Sequence, residues 1–303
     1  MSEQQTAANR PLGDETEALK CMDIWGGTGA VDRTFHVSGL HVHVVSRPFE
    51  GDEQGGDIYY ISMCGSGRIA RVSIADVAGH GRSVGEVAMR LRSLMRKHIN
   101  TPNQARFARA LNEEFAAISN TDMFATAILA TYWAPSDALI LVNAGHPPPL
   151  LYRAREGRWD ALTSDSPEVI ATGGESIGLR NLPLGIIEPT GYDQFAVRLE
   201  TDDLVLLYTD ALIEAKDSSG QMLGTQGLQR CAEAAEGARP DGFAHRLLER
   251  IEGYTGGAAP DDDQTVVLLH HTATDPPPMS IGEFIRVLGR VMGVVGPSKA
   301  AAR

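Results

Sequence analysis

Apolar residues alternate with polar ones at Leu40, Val42 and Val44, and Val45 breaks the alternation, so a strand is expected in the apolar stretch from Cys21 to Gly51. IYYISMC after Asp57 and RIARVSIAD read as the next two strands, with Gly65, Ser66 and Gly67 as the turn between them. The period then changes. Val84, Val87, Ala88, Leu91, Leu94 and Met95 recur at helical spacing beside Ser83 and Glu86, a capping-box pair, which predicts an amphipathic helix over residues 84–99. Phe107, Leu111, Phe115 and Ile118 mark a second helix over 104–119.

Strand periodicity returns in MFATAILATYW and DALILVNAG, joined by Ala134, Pro135, Ser136 and Asp137 as a hairpin, and again around Gly157 in LLYRAREGRWDAL. A Gly-, Ser- and Pro-rich loop covers 163–190, and FAVRLETDDLVLLYTDALIEA reads as two strands around Thr201 to Asp203. Helices at 225–236 and 241–253 and a final strand, QTVVLLHHT, close the domain. Strands, two helices, many strands, two helices and one strand is not the strict alternation of a doubly wound sheet. The order fits an α+β fold with antiparallel sheets sandwiched by helix pairs.

Residues 1–20 lack apolar periodicity and read as a disordered polar tail before a domain at 21–273. DPPPM makes 274–279 a stiff linker, and residues 280–303 hold an amphipathic helix with Phe284, Leu288, Val291 and Val295. That stripe most often packs on its own domain; docking a partner or a second copy, giving a homodimer, is the other reading.

Composition narrows the functional classes. A net charge of -12 argues against nucleic-acid binding, which needs clustered Lys and Arg. Cys21, Cys64 and Cys231 lie too far apart for a CxxC zinc pair. No signal peptide and no run of about 20 apolar residues is present, so a soluble cytoplasmic protein is expected.

Four aspartates stand where an expected strand meets a turn: Asp57 in GGDIYY, Asp76 in IADVAGHG, Asp210 in LLYTDAL and Asp262 in PDDDQTVV. Singly, each is also an ordinary turn or cap residue. Asp210 resists that explanation because apolar residues flank it, and a carboxylate buried there needs a partner such as a metal. Hard divalent ions take such oxygen ligands, and the sequence lacks the GxSxG, GxxxxGK[ST], HExxH and GxGxxG patterns of competing centres.

In order and spacing, GGDIYY, IADVAGHG, FATAILATYW, NAGHPPPLLY, LPLGI, DLVLLYTDALIEAKDSSGQMLG and DDDQT resemble the SpoIIE-type, RsbU-like branch of the PPM metal-dependent protein serine/threonine phosphatases over residues 38–272. The resemblance implies a four-layer αββα sandwich binding two Mn²⁺ or Mg²⁺ ions, with phosphoserine or phosphothreonine hydrolysed by a water bridging the two ions. It implies that Asp76 bridges the ions, that Val77 offers its carbonyl, that Asp57 serves the second ion, and that Asp210 and Asp262 hold the first. Asp263 stands where relatives have Asn or Asp, and His146 aligns with an accessory-metal position. His80 lies four residues after Asp76 rather than two, and reads as a support for the turn rather than as the leaving-group acid.

The resemblance also implies a bacterial signalling phosphoprotein as substrate, a STAS-domain anti-sigma-factor antagonist being the typical class. A regulatory protein acting on the helices of 84–119, through exposed residues such as Arg92 and Arg96, is the expected switch. Ala211 replaces the usual Gly of the Thr-Asp-Gly pattern. That departure keeps a second reading open, a weakly active pseudophosphatase that binds a phosphoprotein as a regulatory module. A nucleotide cyclase site built on GGD is the weakest reading, since the rest of that motif is missing.

Overall fold

Each alternating stretch has two faces to bury, and the chain satisfies both by stacking four layers. The structure, a computed structural model, describes residues 15–19, 23–64, 67–79, 82–118, 123–171, 179–235 and 240–273. The chain opens with β1 (Glu15–Ala18), β2 (Ile24–Gly27), β3 (Val31–Val37), β4 (Leu40–Arg47), β5 (Asp57–Cys64) and β6 (Ile69–Val77). Helices α1 (Arg82–His98) and α2 (Gln104–Ile118) follow. Then come β7 (Ala125–Trp133), β8 (Ala138–Ala144), β9 (Leu150–Arg153), β10 (Arg158–Ala161), β11 (Ile170–Ala171), β12 (Gln194–Arg198) and β13 (Leu204–Tyr208). A one-turn helix α3 (Ala211–Glu214), then α4 (Gly224–Ala234) and α5 (Phe243–Tyr254), precede β14 (Gln264–His271).

One sheet runs β1-β3-β4-β14-β13-β9-β10 and the other β11-β12-β8-β7-β6-β5-β2. All pairings are antiparallel except β1 with β3. Strand alternation assigns the layers. Tyr59 and Ile61 of β5, Val72 and Ile74 of β6 and Val205 and Leu207 of β13 meet between the sheets. Their neighbours face outward: Ile58, Tyr60, Ala75 and Val77 pack under α1 and α2. Leu204, Leu206 and Tyr208 pack with residues of α4 and α5. Val45, which breaks the alternation of its strand, belongs to this last layer. Burying each such side chain contributes about 1.5–3 kcal/mol, so the layer order rests on the alternation itself.

The α+β sandwich is the one expected, with local corrections. Within the supposed polar tail, Glu15–Ala18 form β1 beside β3, and Leu19 is buried. Between Cys21 and Gly51 the chain makes three strands rather than one; β2 is short and ends in two glycines, and β3 carries half-buried Arg33 and His36, one on each face, among its apolar residues. The loop over 163–190 contains β11, and its Leu184 pairs with Ala125 through two backbone hydrogen bonds of 2.9 and 2.7 Å. The two strands around Thr201 to Asp203 enter different sheets. Helix α1 starts at Arg82, which places Ser83 inside its first turn instead of at its cap.

Arg92, expected on an exposed helix face, is half-buried, whereas Arg96 is exposed. His80, the linker 274–279 and the helix of 280–303 lie outside the described residues. No helix among the described residues is long and apolar enough to cross a membrane.

Candidate metal centre

Antiparallel register brings the first two aspartates together: Asp57, which opens β5, is the cross-strand partner of Asp76, next to last in β6. The glycines before Asp57 allow a close approach. A Cβ on Gly55 would lie 2.4 Å from the Asp263 carboxylate, and one on Gly56 would lie 2.9 Å from the Val77 carbonyl oxygen. Asp210 and Asp262 come from the other sheet, Asp210 at the end of β13 and Asp262 just before β14.

Thr209 joins the two sheets at this point. Its hydroxyl donates to Asp57 Oδ2 at 2.9 Å and accepts from the Thr265 backbone N–H at 3.0 Å. The Thr265 hydroxyl shares a 2.8 Å bond with that of Ser46. Sequence reasoning missed Thr209, Thr265 and Ser46. The only signal was adjacency, since Thr209 directly precedes Asp210 and Thr265 lies two residues beyond Asp263.

Asp263 serves the scaffold. Its carboxylate accepts from the Phe49 N–H at 2.6 Å and from the Gly56 N–H, pinning the segment that delivers Asp57. Its own N–H donates to Asp262 Oδ1 at 2.8 Å.

His146 lies against the centre, on the loop after β8. One ring nitrogen, Nδ1, is 2.7 Å from the Thr126 hydroxyl, and Nε2 donates to the Tyr208 carbonyl at 3.0 Å. Thr126 is the cross-strand partner of Asp76. Both nitrogens are therefore engaged in holding the two sheets together, which leaves none for the accessory metal role. Burial pushes the imidazole down to about 4, against a small opposing effect of the Tyr208 hydrogen bond. The ring is neutral at physiological pH. A cavity of about 360 Å³ opens beside it, lined in part by Asn143, Thr163, Asn181 and Asp193.

Ala211 begins α3, and its backbone is not in the positive-φ region. Asp210 itself has φ -64° and ψ -27°. The strain that a β-carbon would cause in a left-handed turn is absent, so Ala is accommodated here without cost.

The electrostatics are those of carboxyls that raise one another. Asp57 lies well above the usual carboxylate range, first because of burial and then because of the Asp76 charge, with the Thr265 and Thr209 hydroxyls pulling the other way. Burial pushes Asp76 up to about 8, aided by Asp210, Asp262 and Asp263, and its carboxyl donates a hydrogen bond to Asp210. Asp210 is raised by burial and by Glu214 and Asp262. Among the described residues, no Lys or Arg stands among the main influences on these three carboxyls.

As placed, no three described His, Cys, Asp or Glu side chains converge closely enough to coordinate one ion. The chemistry of the donors nonetheless fits a hard divalent cation: they are oxygens only, largely buried, and mutually repulsive until a positive charge separates them.

Two antiparallel sheets between helix pairs, with strand-end carboxylates from both sheets meeting at one edge, define a PPM-type phosphatase domain. Residues 66–272 match the family model described as stage II sporulation protein E, SpoIIE. The chain belongs to that family, the SpoIIE-type branch of the PPM serine/threonine phosphatases.

Its fold is similar to the RsbU and RsbW domains of Rv1364c from Mycobacterium tuberculosis, with a TM-score of 0.62 at 22% identity, over 85% of this chain and 71% of that one. It is also similar to the PP2C phosphatase domain, with a fragment of the regulatory domain, of SpoIIE from Bacillus subtilis. There the TM-score is 0.62 at 17% identity, covering 83% of this chain and 64% of that one. RsbX in complex with magnesium gives a TM-score of 0.56 at 14% identity, over 80% of this chain and all (100%) of that one. No curated protein sequence matches.

Proposed function

We propose that the protein is a Mn²⁺- or Mg²⁺-dependent phosphatase that removes phosphate from phosphoserine or phosphothreonine on a bacterial signalling protein, a STAS-domain anti-sigma-factor antagonist being the favoured class. The observation that carries this reading is that burial and mutual repulsion raise Asp57, Asp76 and Asp210, carboxylates contributed by both sheets. Such a cluster is costly unless a cation occupies it. The relative solved with magnesium supports the cation class.

In this reading Asp57, Asp76, Asp210, Asp262 and the Val77 carbonyl hold two divalent ions, which supply Lewis-acid stabilisation of the phosphoryl group and a more acidic water. Thr209 orients Asp57, and His146 with Thr126 keeps the Asp76 strand in register against β13. Asp263 keeps the Gly55–Asp57 segment close. The cavity beside His146 has room for residues flanking the phosphorylated side chain. The pseudophosphatase reading rested on Ala211, whose relaxed backbone gives it no support.

Phosphate release from a phosphoserine-bearing STAS protein and from p-nitrophenyl phosphate, with Mn²⁺ titrated in, tests the proposal. Metal-dependent turnover that disappears in Asp76→Asn is expected. A wild-type protein that binds Mn²⁺ yet releases no phosphate from either substrate would show the reading to be wrong.

A further inference from the structure

Beneath the C-terminal half of α1 lies a group of cationic and polar side chains that the proposed reaction does not use. Ser62, Arg71 and Thr131 are cross-strand neighbours on β5, β6 and β7. Tyr60, two residues before Ser62 on β5, projects to the same helix-facing side. Helix α1 packs on β5 and β6. Arg92 and Arg96 lie one turn apart on it. Arg96, Arg71 and Arg92 all act electrostatically on the Tyr60 hydroxyl.

Much of the hydrogen-bonding capacity of this cluster is unspent. Arg71 Nε, Arg92 Nε and Thr131 Oγ1 are buried without a hydrogen-bond partner among the described residues, and the Tyr60 and Ser62 hydroxyls have at most each other. Arg71 is only 6% exposed. Among the described residues its guanidinium reaches no carboxylate; its hydrogen bond goes from Nη1 to Cys64 Sγ at 3.2 Å, a weak acceptor. A buried cation without a carboxylate partner is among the costlier features a fold can carry, and several unspent donors in one place amount to a capacity for binding an anion.

Three guanidiniums, two hydroxyl groups on strands and a tyrosine hydroxyl are the donor set of an oxyanion receptor. We propose that the donor cluster between α1 and the Ser62–Arg71–Thr131 row binds a phosphate-class oxyanion, either free phosphate or the phosphate of a nucleotide, entering past exposed Arg96. Arg71 shares β6 with Asp76, and α1 begins six residues after it. An anion held there ties the helix to the strand that carries the proposed bridging ligand.

The test is thermal unfolding in EDTA at matched ionic strength, with chloride, inorganic phosphate or ATP added. Without divalent ions the carboxylate centre repels anions, so a shift reports the arginine cluster. Saturating phosphate is expected to raise Tm by roughly 5 °C over chloride, and the shift is expected to vanish in Arg71→Met. Arg92→Ala/Arg96→Ala, altered only on the helix, is expected to lose it too, and decides the matter if Arg71→Met does not fold. ATP exceeding phosphate at equal concentration assigns the site to a nucleotide; equal shifts assign it to free phosphate. A shift no larger than that of chloride, or one retained in the double variant, overturns the proposal.

Discussion

Replacing Asp76 by Asn separates the cost of the carboxylate cluster from its use. In the metal-free protein Asp76 sits at about 8, raised by burial and by Asp210, Asp262 and Asp263, whereas in the unfolded chain it titrates near 3.9. Between those values the native state binds a proton that the unfolded state has released, so stability falls as pH rises through the window. At about 1.4 kcal/mol per unit, the loss between pH 5 and pH 7 is on the order of 3 kcal/mol from this group alone. Asp57, also raised, adds a loss of the same sign.

Asn cannot ionise. The variant in EDTA is therefore expected to be more stable than wild type at pH 7, by a few kcal/mol, and to show a shallower decline from pH 5 to 8, with Asp57 supplying the remainder. Urea denaturation at fixed ionic strength, repeated at each pH, measures both quantities. Mn²⁺ at a hundred times its Kd stabilises wild type by about 2.7 kcal/mol, and this gain is expected to disappear in Asp76→Asn. A wild-type protein that gains stability from pH 5 to 8 in EDTA, or a variant with an equally steep decline, would refute the reasoning.

Three further outcomes follow from the same geometry. Thr209→Val removes the donor to Asp57 and the acceptor for the Thr265 N–H, and is expected to cost about 1–3 kcal/mol in urea denaturation while weakening Mn²⁺ binding in calorimetry. His146, held near 4 against an unfolded value of 6.5, titrates with the opposite sign to Asp76. Its native form binds fewer protons than the unfolded chain, so its contribution is lost as pH falls from 6.5 towards 4, and His146→Gln is expected to remove that part of the acid slope. Ala211→Gly is expected to cost about 1 kcal/mol, as Gly does in helical backbone, with no rise in kcat/KM. A marked rise would show that Ala211 does impair the site.

The carboxylates were legible because each stands where an alternating apolar run stops, a change visible along one dimension. The bracing residues were not: Thr209, Thr265, Ser46 and Thr126 are ordinary strand residues until a second strand is set beside them. His146 shows the same limit from the other side. Its motif suggested a ligand, and only the positions of Thr126 and Tyr208 reveal that both nitrogens are spent.

The sequence by itself determined the order of strands and helices, the amphipathic faces of α1 and α2 and the four strand-end aspartates, because period and flanking turns are properties of neighbours in the chain. Only tertiary structure decided that β12 and β13 part into different sheets, that residues 15–18 add a parallel strand to β3, and that Asp57 faces Asp76 while Asp210 and Asp262 approach from across the sandwich. Periodicity records that a face will be buried but not what will bury it. Partner choice is set by register and by the packing of one sheet on the other, and the same packing brings Asp57 beside Asp76 and buries Arg71.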